Sequence, residues 1–201
     1  MSNYPIFLNL AHFNCLVVGG GKVAARKVAH LIEAGAKPSI ITIELSDELK
    51  SYVQQYQLSV QQKSVELTDI DGFQLIIAAT NDKALNDAIA QQAIDLKLLV
   101  NNVTNAALCT FQMPAVVRRQ GIELAIGTGG ELPYVSHRLK KHIEELFTCE
   151  KMEALNKIAS IRKEILTKAQ GNSNCRKELL DAELAPLVDE FIQKLFSQIQ
   201  N

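Results

Sequence analysis

The stretch LVVGGGKVAARK, residues 16–27, constrains this chain more than any other. An apolar run, Cys15-Leu16-Val17-Val18, ends in three consecutive glycines. Ala24, Ala25, Val28, Ala29, Leu31 and Ile32 then recur at helical spacing. Strand, tight turn and helix in that order aim unpaired backbone N–H groups at a phosphate. The spacing reads G-x-G-x-x-A, with Gly19, Gly21 and Ala24 as the small positions. The first permits the sharp turn, the second lets backbone approach a pyrophosphate, and the third lets the helix pack close to the strand. A glycine-rich turn that binds nothing is the plainer reading, but the context on both sides favours a dinucleotide.

The rest of the first half repeats the strand–helix alternation. Strands are expected at Ser39–Ile43, Leu58–Gln61, within FQLIIAAT (73–80) and within LKLLVNNV. A helix starts at Ser46, with Asp47 and Glu48 in its first turn, and NDKALNDAIAQQAID is a second. Alternation to about residue 103 predicts an α/β, Rossmann-like parallel sheet covered by helices. Beyond it come one strand, Ile122–Gly127, a glycine turn, and a helix from Pro133. From Cys149 the pattern is helical, broken at QGNSN. Three regions are expected: a nucleotide-binding unit over 1–113, a small mixed α/β segment over 114–147, and a helical C-terminal tail over 148–201.

Composition narrows the function. With a net charge of −1, the chain has no overall electrostatic attraction for nucleic acid or an anionic membrane. No apolar run approaches the roughly 18 residues of a membrane span. The N-terminus lacks the basic and apolar regions of a signal peptide, so a cytoplasmic protein is expected. The four cysteines and four histidines are scattered, with no metal-ligand spacing, and no metal site or structural disulfide is expected. GTGGELP, residues 127–133, again runs from strand through glycines to a helix start. Arg118 and Arg119 precede it, and Arg138, Lys140 and Lys141 follow. These cations suit either an anionic substrate or a solvated helix face.

YPIFLNL, VVGGGKVAARK, LIEAGA, IIAATND, LCTFQMPA and AIGTGG-x-LP occur in order. With them the chain resembles the precorrin-2 dehydrogenase/sirohydrochlorin ferrochelatase family, which includes the N-terminal half of siroheme synthase. The resemblance covers residues 4 to about 147 and fits the tail loosely. It implies NAD-dependent oxidation of precorrin-2 to sirohydrochlorin, with Fe2+ insertion in many members, and a homodimer whose middle segments interlock. It places Gly19, Gly20, Gly21, Lys22 and Val23 around the pyrophosphate of NAD. Ile43 and Glu44 fall beside the adenosine ribose, Glu44 being about 20 residues past the glycines, as a ribose-binding acid should be. Thr80, Asn81 and Asp82 end a strand where such sheets bind ligands. Asn101, Arg118, Arg119, Thr128 and Arg138 are the expected donors to the carboxylates of the tetrapyrrole.

The chain departs from the family at one loop. The usual N-V-V-D-D-P-E-L-C is here NNVTNAALC. The aspartate credited with proton transfer and metal insertion is replaced by Thr104, and the next acid by Asn105. Neither is a base near neutral pH. Hydride transfer survives this more readily than iron insertion, which needs pyrrole protons removed and a ligand to the metal. Two readings stand beside the enzyme: an impaired NAD- and tetrapyrrole-binding sensor or carrier, and a nucleotide-sensing regulatory domain. The second leaves CTFQMPA and GTGG unexplained.

Overall fold

The computed structural model describes residues 3–197. The chain divides between Gln112 and Met113 into two compact units.

The first unit alternates as its sequence expects: β1 (Cys15–Val18), α1 (Lys22–Glu33), β2 (Ser39–Thr42), α2 (Asp47–Tyr56), β3 (Val60–Gln62), β4 (Leu75–Ala78), α3 (Lys83–Asp95) and β5 (Leu99–Asn102). All neighbouring strands pair in parallel, in the order β3-β2-β1-β4-β5. The expected Rossmann-like α/β fold is therefore present, with β3 displaced toward Gln62 from the expected Leu58–Gln61. CLVV and LIIA are buried along their whole length, as strands covered by helices on both faces must be. Leu16, Val18, Ile41, Ile76, Ala78 and Val100 of the sheet pack with Ile89, Ala90 and Ala93 of α3. Truncating one of these aliphatics to alanine would cost about 2–5 kcal/mol. Each helix start has its own logic. Ser46 caps α2 by accepting from the Leu49 N–H, and Asp82 caps α3 by accepting from the Leu85 N–H. Gly21 stands at the N-cap of α1 and has no side chain to offer, so the first-turn N–H groups there lack a side-chain cap.

The second unit opens with an antiparallel hairpin, β6 (Ala115–Arg119) and β7 (Ile122–Ile126). This corrects the expectation of a single strand, Ile122–Gly127: IELAI pairs with AVVRR just before it in the chain. Gln120 and Gly121, both with positive φ (36° and 87°), make the two-residue turn that matches strand twist. Next come α4 (Pro133–Leu146), α5 (Cys149–Lys168), α6 (Ser173–Leu179) and α7 (Ala185–Phe196). The helical stretch from Cys175 is not continuous, because a π-helical turn, Leu180–Leu184, separates α6 from α7. Pro186 has no N–H to give the carbonyl one turn back, and the wider turn sits just ahead of it. Val117, Phe147, Phe191 and Leu195 form the centre of this unit, with Ile143, Leu155 and Ile158 against them. The ammonium of Lys151, also buried, donates to the Leu195 carbonyl in the last turn of α7 (3.3 Å). Among the described residues no helix is long and apolar enough to cross a membrane.

Candidate functional site

In a sheet ordered 3-2-1-4-5, the order of strand addition reverses between β1 and β4, and a crevice opens beyond the carboxyl ends of those parallel strands. A cavity of about 560 Å³ lies there. It is lined by Gly19, Gly20 and Gly21 after β1, by Ile43, Glu44 and Ser46 after β2, by Lys63 and Ser64 after β3, and by Thr80, Asn81 and Asp82 after β4. The structure thus brings eight of the ten expected cofactor residues into one wall. Lys22 and Val23 stand on the first turn of α1, where Val23 is 41% exposed.

The three glycines have different duties. Gly19 takes φ 123°, and a Cβ there would run into the Ala79 carbonyl at the end of β4. Gly20 is the tightest: a Cβ would collide with the Glu44 carbonyl and lie 2.5 Å from the Thr42 hydroxyl. Gly20 is outside the G-x-G-x-x-A pattern, and its neighbour is set by the β2–α2 loop rather than by the motif. Nothing lies within 4 Å of a Cβ at Gly21, so its outer face is open to an approaching group. Ala24 is fully buried, as the third small position should be. Hydrogen bonds hold the loops together: Gly19 N–H to the Ile41 carbonyl (2.9 Å), Ser46 N–H to the Gly20 carbonyl (2.8 Å), and the Thr42 hydroxyl to the Glu44 carbonyl (2.9 Å). A rigid glycine cradle, uncapped helix N–H groups and open space beside Gly21 fit a dinucleotide pyrophosphate.

The ends of β4 and β5 are joined by a polar network that the sequence reading did not foresee. Its centre is Asn86 on α3, with no exposed surface. The Asn86 amide oxygen accepts from the Thr80 N–H (3.0 Å) and hydroxyl (2.7 Å), and its NH2 donates to the Thr80 carbonyl (3.0 Å) and the Thr104 hydroxyl (3.4 Å). Thr104 in turn donates to the Asn102 amide oxygen (2.8 Å), which also accepts the Thr104 and Asn105 N–H groups (2.9 and 3.1 Å). Asn102 and Asn105 both donate to one carboxylate oxygen of Asp87 (2.8 and 3.2 Å), whose other oxygen takes Lys83. The Lys83 ammonium first, then Asn105 and Asn102, holds the Asp87 carboxyl below the ordinary carboxylate range. A signal for Asn86 exists in the sequence. It shares its helix face with Ile89, Ala90 and Ala93 at the spacing of a buried stripe, where an amide needs a polar purpose.

Of the residues expected to meet substrate, Asn101 is buried and its NH2 donates to the Phe111 carbonyl (3.3 Å) and to Cys109 Sγ (3.7 Å). The others lie in the second unit. Arg118 on β6 pairs with Glu123 (3.0 Å), Arg119 donates to the Arg118 carbonyl (2.8 Å), Thr128 sits in the glycine turn, and Arg138 is exposed on α4. Asp82 both lines the cavity and caps α3, so its carboxylate is already engaged.

Comparison with known proteins agrees with this geometry. A family described as putative NAD(P)-binding matches residues 6–115, more than half of the chain. The chain belongs to this NAD(P)-binding family. Its expected nicotinamide dinucleotide cofactor is borne out by that membership. The chain is also 39% identical over 144 residues to the siroheme synthase of Methylococcus capsulatus, covering 72% of this chain and 30% of that protein. It is 32% identical over 193 residues to the siroheme synthase of Pseudoalteromonas atlantica, covering 94% and 41%. The chain therefore spans well under half the length of these curated relatives. Among solved structures, SirC, a precorrin-2 dehydrogenase, superposes with a TM-score of 0.76 at 25% identity, covering 97% of this chain and 100% of SirC. The resemblance to the precorrin-2 dehydrogenase/sirohydrochlorin ferrochelatase family stands on these matches.

Proposed function

We propose that this protein oxidises precorrin-2 to sirohydrochlorin with NAD as the acceptor, a step of siroheme biosynthesis in the cytoplasm. The observation that carries the reading is the glycine-walled cavity at the strand crossover, in a chain that aligns along nearly its whole length with a precorrin-2 dehydrogenase. Gly19 to Gly21, Lys22 and Val23 cradle the pyrophosphate. Ile43 and Glu44 meet the adenosine ribose, and Thr80, Asn81 and Asp82 border the crevice at the end of β4. When bound, NAD supplies the hydride acceptor. The chain's part is to hold donor and acceptor in register and to exclude bulk water from them. The accompanying proton leaves to solvent, since Thr104 is no base. Arg118, Arg119, Thr128, Arg138 and Asn101 are the donors assigned to the tetrapyrrole carboxylates, Arg118 exchanging Glu123 for substrate.

Thr104 also sets the limit of this activity. With a hydroxyl where the family carries an acid, Fe2+ insertion into sirohydrochlorin is slow. The protein acts as a homodimer. Leu132, Val135 and Leu139, spaced along one side of the start of α4 and 56%, 41% and 44% exposed, favour a covering partner. Anaerobic incubation with precorrin-2 and NAD+ tests the reading: sirohydrochlorin should accumulate, and unchanged precorrin-2 would refute it. Binding of NAD+ without turnover would favour the sensor or carrier alternative.

A further inference from the structure

The adenosine end of the cavity carries two ionisable side chains of opposite sign, Glu44 after β2 and Lys63 after β3. Parallel pairing of Thr42 with Gln62, continued by the Lys63 N–H to the Thr42 carbonyl (3.0 Å), sets them on adjacent strand ends. Glu44 is exposed, and among the described residues its carboxylate makes no hydrogen bond or ion pair. Lys63 is the only lysine or arginine among the residues lining the cavity, and it is already engaged. Its ammonium contacts the Asp69 carboxylate at 2.5 Å. Asp69 is well anchored for this. Its other oxygen accepts the Glu66 N–H at 2.7 Å, in the capping box of the 3-10 turn Leu67–Ile70, and its side chain is only 16% exposed. The Glu66 N–H, then Lys63, holds the Asp69 carboxyl below the usual range, so it keeps its charge.

We propose that Asp69 is a specificity residue for the cofactor: by neutralising Lys63 it denies NADP+ the one lysine or arginine that lines the cavity. This rests on the dinucleotide reading above. A 2′-phosphate would face Glu44 while the one lysine or arginine lining the cavity is paired with Asp69, and a site that repels one ligand discriminates without binding the other more tightly. The ribose hydroxyl of NAD+ needs only the acceptor that Glu44 provides.

Calorimetric titration of the full chain with NAD+ and NADP+ tests this without turnover. The wild type should favour NAD+ by at least about tenfold. Asp69→Asn keeps an oxygen for the Glu66 N–H and should fold. It frees Lys63 and should tighten NADP+ about tenfold, with NAD+ unchanged within about twofold. Lys63→Gln added to Asp69→Asn should abolish the gain. An unchanged ratio in Asp69→Asn, or a gain that survives the added Lys63→Gln, would overturn the proposal. If the wild type binds neither dinucleotide, the cofactor reading falls and this inference with it. NAD+ binding with an unresponsive ratio defeats the inference alone.

Discussion

The side-chain NH2 of Asn86 reaches the Thr104 hydroxyl across 3.4 Å, and that hydroxyl donates a hydrogen bond to the Asn102 amide oxygen at 2.8 Å. The position where the family places an acid is here a link in a chain of hydrogen bonds that ends, through Asn102, on the Asp87 carboxylate. Thr104 is nevertheless exposed, so a carboxylate can be accommodated there and would still accept from Asn86. Thr104→Asp should raise insertion of Fe2+ or Co2+ by at least about tenfold, toward the 10²–10⁴-fold worth of general-base help, and change precorrin-2 oxidation much less. Paired anaerobic rate assays read this. Brisk insertion by the wild type, unmoved in the variant, would show the acid dispensable.

Asn105→Asp should behave differently. It would set a second carboxylate against Asp87, which now accepts from the Asn105 amide at 3.2 Å. Like charges at that distance raise at least one folded-state pKa above its unfolded value. Stability is then retained at low pH and lost as pH rises through the raised pKa. The urea midpoint of Asn105→Asp should match the wild type near pH 4 and fall below it at pH 8. A constant offset across that range would contradict the contact.

The glycine turn offers a contrast between neighbours. Gly20→Ala forces a methyl group onto the Glu44 carbonyl and should cost about 1–3 kcal/mol of stability, with loss of NAD+ binding. Gly21→Ala meets open space and should keep its stability within about 0.5 kcal/mol. Gly21→Asp should fold normally yet lose most NAD+ affinity, because its charge would face the pyrophosphate in the proposed site. Thermal melts and calorimetry separate the three, and a Gly20→Ala protein as stable as the wild type would overturn the packing argument.

Thiol chemistry reports on the sheet. Burial in β1 pushes the Cys15 thiol up to about 11, whereas Cys149 is exposed at the start of α5. A maleimide at pH 7 should label Cys149 within minutes and Cys15 only on unfolding. Mass spectrometry of tryptic peptides distinguishes the order, and early Cys15 labelling would mean that β1 is not buried.

Much of this was legible in the residues. Apolar runs such as CLVV and LIIA, with Ser46 and Asp82 at helix starts, specify a parallel sheet and where its helices begin, because burial and capping are local properties. The cavity wall followed from knowing that ligands sit at the ends of such strands. What stayed hidden depends on tertiary neighbours. The crowding at Gly20 comes from Glu44 in another loop, the role of Asn86 comes from Thr80 and Thr104, and the masking of Lys63 comes from Asp69. The β6 strand was missed for another reason: AVVRR follows a proline and carries two arginines, so only the Gln120-Gly121 turn betrayed the hairpin.

The central claim joins this cavity to one chemistry, and a single comparison tests it. Wild type and Gly21→Asp are mixed with precorrin-2 and NAD+ without oxygen, and NADH and sirohydrochlorin are both quantified. The account predicts that the wild type forms the two in equal amounts and that Gly21→Asp forms almost none of either while remaining folded. Sirohydrochlorin without matching NADH, or equal turnover by the variant, would contradict it.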